Sequence, residues 1–117
     1  MQTDWIPLTN EDKIDTIISE SHQRPQIIFK HSIYCSVSSR AYQRLSSMGS
    51  EIDEKADIHY LDVINSRPVS IAVAERFRIP HESPQLLIIS NEEVILHKSH
   101  GAVQEDAVME ALKMVIR

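Results

Sequence analysis

Apolar residues along the chain fall into short runs and helical stripes. Ile14, Ile17 and Ile18 recur at i, i+3, i+4 and give one apolar helix face. Thr9-Asn10-Glu11-Asp12 before them supplies a capping residue, Thr9, and first-turn acids. Pro25 closes the turn that follows. Gln26 to Lys30 is too short for a helix and rich in β-branched and aromatic residues, which predicts a first strand. Val37, Ala41, Leu45 and Met48 share a stripe, predicting a helix from about Ser36 to Met48 with Gly49 as its stop. Ile58 to Val63 reads as a second strand. Pro68 suits the first turn of a third helix, whose apolar face is Val69, Val73 and Phe77. Pro80 and Pro84 bracket a loop before a third strand, Gln85 to Ser90. Asn91-Glu92 is a turn into a fourth strand, Glu93 to His97. After Gly101, residues Val103, Ala107, Val108, Ala111, Leu112 and Val115 repeat at helical spacing.

The predicted order is α-β-α-β-α-β-β-α. A helix long enough for a crossover separates the first two strands, so they should run parallel, whereas the tight turn makes the last two antiparallel. The expected architecture is α/β: a mixed four-stranded sheet with helices on both faces. The 117 residues suit one domain, 1–117, and an apolar share of 42% supports a core without metals or disulfides.

Charge and composition narrow the function. A net charge of -5 lacks the basic footprint of a general nucleic-acid binder. No apolar run approaches the roughly 20 residues of a membrane span, and Met1-Gln2-Thr3-Asp4-Trp5 lacks the features of a secretory signal. With a single cysteine the chain forms no internal disulfide, and a cytoplasmic location is expected.

That cysteine, Cys35, follows the first strand and a short polar turn and stands at the start of the second helix. Unpaired N–H groups and the helix dipole favour a thiolate there, and the thiolate is the nucleophile in disulfide exchange. Ser38 stands three residues on, giving C-x-x-S, and lies one turn below the thiol, where its hydroxyl could donate to the thiolate. Ser36 reads first as a cap. Lys30 and His31 could add positive charge. Ile33 and Tyr34 either fill the loop surface or shield the thiol.

The element order, with Cys35 after strand one and Ser83-Pro84 before strand three, resembles the thioredoxin fold. The words Lys30-His31-Ser32, Cys35-Ser36-Val37-Ser38, His81-Glu82-Ser83-Pro84-Gln85 and His100-Gly101 are similar to those of the YtxJ-type monothiol bacilliredoxins, over nearly the whole chain. The resemblance implies an oxidoreductase that removes bacillithiol from protein mixed disulfides. It also implies Cys35 as nucleophile and Pro84 as the substrate-facing cis proline. With Ser83, Tyr34 and Ser36 flanking the substrate, the partners would be S-thiolated proteins and bacillithiol or a related small thiol. The thiol is a co-substrate, with no bound cofactor and no metal. Two positions depart from the family: Ser36 stands where Pro usually follows the cysteine, and Asn91-Glu92-Glu93 replaces a turn that often carries Gly.

Rival readings are a non-catalytic peptide-binding module and a passive thiol sensor. His97 and His100, with His81, lack the cysteine or acid cluster of a zinc-type set. Arg67-Pro68 reads as a helix start. Glu51, Asp53, Glu54 and Asp57 read as solvated surface.

Overall fold

A computed structural model describes residues 5–115. The elements are β1 (Ile6–Pro7), α1 (Asp12–Glu20), β2 (Gln26–His31), α2 (Ser36–Ser46), α3 (Gly49–Asp53), β3 (Asp57–Asp62), α4 (Arg67–Phe77), β4 (Gln85–Ser90), β5 (Glu93–Ser99), a single 3-10 turn at His100–Ala102, and α5 (Glu105–Val115). The sheet has five strands in the order β1-β3-β2-β4-β5, not four. The additional strand, β1, is two residues long and too short to show a period. It pairs parallel with β3 through Ile6↔His59 and Pro7↔Tyr60. An edge position tolerates Pro7, which has no N–H to give a ladder.

The parallel and the antiparallel pairing that were predicted are both present, and an antiparallel pairing of β2 with β4 joins them. β2 runs parallel to β3 and antiparallel to β4, and β4 and β5 form an antiparallel hairpin. Every residue of β2 and β4 is buried, as expected of strands covered on both faces. On one face Ile27, Phe29, Leu86 and Ile88 pack with Ala41 and Leu45 of α2, Ile52 of α3, and Val108 and Leu112 of α5. On the other, Ile28, Leu87 and Ile89 pack with Ile14 and Ile17 of α1 and Val69 and Val73 of α4.

Three local expectations are corrected. Thr9 does not cap α1; the Oδ1 of Asn10 accepts the Asp12 N–H at 2.8 Å instead. Gly49 does not stop α2, which ends at Ser46; it opens the short helix α3. β3 begins at Asp57, whose carboxylate takes a bond from Gln26 Nε2 at 2.9 Å, so this acid belongs to the sheet and is half-buried. At the β4–β5 turn, Asn91 and Glu92 both adopt positive φ, 50° and 68°. That turn shape suits the twist of a two-residue hairpin, so the chain dispenses with Gly here. Ser21 holds the turn, accepting from Asn91 N and Glu92 N at 2.9 Å each.

Candidate active site

The antiparallel pairing of β2 with β4 positions the site. Lys30 is opposite Gln85, so the segment after β2, which carries Cys35, and the segment before β4, which carries Ser83-Pro84, leave the sheet at the same end. Cys35 is the N-cap residue of α2, in extended conformation (φ -110°, ψ 121°), and is half-exposed. Its N–H donates to the Ser32 carbonyl at 3.2 Å and its carbonyl accepts from Ser39 N at 3.0 Å. This hairpin-like turn fixes the backbone of the cysteine while its side chain makes no capping bond. Ser36 is exposed and is the first helical residue, so the cap expected of it belongs to Cys35.

Ser38 is fully buried and serves the loop rather than the sulfur. Its Oγ accepts the Ser32 N–H at 2.9 Å and lies 2.6 Å from His31 Nδ1. The hydroxyl therefore ties the turn ahead of Cys35 to strand β2. His31 stacks on Phe29 and leans on Tyr42 and Tyr60, at centroid distances of 5.8, 5.2 and 5.6 Å. Burial pushes its pKa below the ordinary 6.5, against partial support from Asp62 and from a bond at Ser38. His31 is neutral at pH 7, and the positive charge expected of it is absent.

Three large apolar side chains beside the thiol are exposed, next to exposed Ser36. Ile33 is 54% and Tyr34 83% exposed, with Val37 at 37%. Tyr34 extends into solvent.

The Ser83–Pro84 peptide is cis, and Pro84 is buried. Its carbonyl accepts from His100 N at 2.8 Å, and Gln85 Nε2 donates to the Pro80 carbonyl at 3.0 Å. The Ser83 hydroxyl is buried without a hydrogen-bond partner. His81, from the same loop, meets Lys30 Nζ at 3.2 Å and Ser70 Oγ at 3.0 Å through Nδ1. Reading along the chain did not assign these contacts. The available signal was Lys30-His31: two polar residues in succession after the apolar run Ile27–Phe29 of a doubly covered strand must point to opposite faces.

Among the described residues no three His, Cys, Asp or Glu side chains group to hold a metal ion. An open polar cleft lined by His22, Arg24, Lys55 and Asn91 lies at the opposite end of the sheet, beyond Pro25 and Ser90, and includes none of the site residues. No helix among the described residues is long and apolar enough to cross a membrane.

Solved structures share this fold. A thioredoxin-fold protein described as a proposed oxidoreductase is 29% identical, with 91% of each chain covered and a TM-score of 0.80. A Fasciola hepatica thioredoxin (15% identity, 93% of this chain and 97% of that one, TM-score 0.72) shares the fold. So does oxidised thioredoxin O2 from Arabidopsis thaliana (9% identity, 100% and 98% covered, TM-score 0.73). The fold is that of thioredoxin, the single cysteine makes the protein a monothiol, and the family matched is that of thiol oxidoreductases. Residues 6–108 match the model of the family described as monothiol bacilliredoxin BrxC, and the chain belongs to that family.

Proposed function

We propose that this thiol oxidoreductase removes bacillithiol, or a closely related small thiol, from protein mixed disulfides, with Cys35 as nucleophile. The observation that carries the reading is the lone half-exposed thiol at the N-cap of α2, on the same end of the sheet as Ser83-Pro84, in a chain of the monothiol bacilliredoxin family. The Cys35 thiolate attacks the small thiol's sulfur. The mixed S–S bond breaks, the target's sulfur leaves as a thiolate and takes up a proton, and Cys35 holds the small thiol in a new disulfide. A second small-thiol molecule attacks that disulfide, carries the first away as a symmetric disulfide, and returns the Cys35 thiolate. No second protein cysteine is required.

The remaining site residues frame this exchange. Ser38 positions the Cys35 turn. Ser83, with an unused hydroxyl, and buried Pro84 form the wall against which an extended substrate would lie, pairing with backbone as an added strand. Exposed Tyr34 and Ser36 flank the thiol and meet the S-thiolated protein. The co-substrate thiol is consumed and not held as a cofactor, and the chemistry suits the reducing cytoplasm.

Intact-mass measurement on a mixture with a bacillithiol-capped test protein tests the reading. Cys35 is expected to gain one bacillithiol as the test protein loses one, with turnover on adding free bacillithiol. A thiol that stays unmodified, or is blocked once without turnover, supports instead a peptide-binding module or a sensor.

A further inference from the structure

The exchange chemistry makes no use of Lys30, although this side chain is fully buried within the sheet. Its ammonium donates to the Ser70 carbonyl of α4 at 3.0 Å and meets His81 Nδ1 at 3.2 Å. No carboxylate is among its partners, so the buried charge is met by dipoles alone, an arrangement that costs stability. Burial lowers its pKa from 10.5 to about 8, which leaves the amine protonated at pH 7. The fold itself would be better served by an apolar side chain in this doubly covered strand.

What the charge does achieve is a link between two strands' ends. Lys30 lies five residues before Cys35, and His81 lies three before Pro84. An ammonium has no lone pair, so His81 Nδ1 accepts from it, and the imidazole is neutral with its proton on Nε2. Ser70 Oγ, 3.0 Å from the same nitrogen, adds a second hold from α4. The loop's other fastenings are Gln85 on the Pro80 carbonyl, His100 on the Pro84 carbonyl, and Ser99 and His100 on the Glu82 carboxylate, all from β4, the end of β5 or just beyond it. The His81 contact is the side-chain fastening that reaches β2, the strand leading to the thiol.

We propose that Lys30 is a positioning residue for the exchange reaction: through His81 and Ser70 it holds the His81–Pro84 loop in register with Cys35 so that a protein disulfide can be received between them. This rests on the exchange function proposed above. The fastening is also acid-sensitive. Protonating His81 fills Nδ1, removes the acceptor shared by Lys30 and Ser70, and sets two cations side by side. The charged groups facing His81 are Lys30 from β2, Arg67 from α4 and Glu82 from its own loop. Burial, then Lys30 and Arg67, lower the His81 pKa below 6.5, with Glu82 opposing.

The test compares the full-length protein with Lys30→Met. The readouts are steady-state kinetics on a bacillithiol-capped single-cysteine protein across pH 5–8, alkylation of Cys35 by iodoacetamide, and the His81 titration by NMR. Expected for Lys30→Met is a roughly tenfold higher KM, less than twofold change in kcat and in alkylation rate, and an upward move of the His81 midpoint. In the wild type KM should climb as pH falls through the His81 midpoint. A KM unchanged by the substitution overturns the proposal, as does a His81 midpoint that stays in place. An alkylation rate falling in step with activity overturns it too, because Lys30 would then act on the sulfur itself. Wild-type protein that transfers no bacillithiol overturns the exchange function on which the proposal rests, whereas the His81 titration still tests the fastening itself. Should Lys30→Met not fold, His81→Phe removes the acceptor at an exposed residue, and there too an unchanged KM overturns the proposal.

Discussion

The two faces of β2 end in different chemistry. On the α2 side the strand closes with His31, neutral, ringed by Phe29, Tyr42 and Tyr60, and bonded to Ser38. On the α4 side it closes with Lys30, charged, without an acid, and bonded to a helix carbonyl and an imidazole. The first arrangement bonds the imidazole Nδ1 to Ser38 inside an aromatic cluster, so it supports the fold and the turn before Cys35 together. The second buries a charge at a net cost and serves the loop before β4. Neighbouring residues of one strand therefore affect stability in opposite directions while tending two halves of one site.

Both halves converge on one sulfur, and removing it gives the largest effect. Cys35→Ser is expected to reduce bacillithiol transfer to the uncatalysed background with a melting temperature within about 2 °C of wild type, read by mass spectrometry and thermal unfolding. Activity surviving that change would mean the two faces serve something other than the thiol. Next comes Ser38→Ala on the stabilising face. It strands the Ser32 N–H and His31 Nδ1 and should cost roughly 2–3 kcal/mol in denaturant unfolding, with slower transfer. A neutral result would remove the distinction between the faces.

On the Lys30 side the sign is reversed. Lys30→Met should raise stability at pH 7 by roughly 1–3 kcal/mol, even as it impairs substrate binding. The pH dependence follows from a folded pKa of about 8 against 10.5. Between these values the unfolded chain binds more protons, so wild-type stability rises with pH across the window and the advantage of the variant shrinks toward pH 10.5. Urea unfolding of both proteins at pH 7 and pH 10 checks this; a constant difference would show that the ammonium is not the source of the cost. The smallest effect is a control away from both anchors. Arg78 caps α4 at φ 57°, and Arg78→Gly should add about 0.5–1 kcal/mol without altering transfer rates.

Much of this was legible in the residues. The pattern located all the long elements because β2 and β4 each hold a short apolar run, Ile27–Phe29 and Leu86–Ile89, and the helices carry regular stripes. Two-residue β1 has no period to read, and it owes its pairing to β3, a contact distant in sequence. The position of Cys35 at a helix start was legible because a polar turn separates an apolar run from a helical stripe. The job of Ser38 was not. Its spacing from Cys35 is compatible with a bond to sulfur or to Ser32, and only the bend of the turn decides for Ser32. The partners of Lys30 come from α4 and from the loop before β4, residues 40 and 51 positions away, which local pattern does not report.

The pairing of Lys30 with Gln85 gives the sheet a parity. A slip of one residue between β2 and β4 would exchange the faces that Lys30 and His31 address, presenting the ammonium to the aromatic rings and the imidazole to α4. Neither residue would then find its partners, and both loops would lose their fastening at once. Strand alignment thus acts as a checksum on the candidate site: the ladder that brings the Cys35 and Pro84 segments out at one end of the sheet admits both anchors or neither.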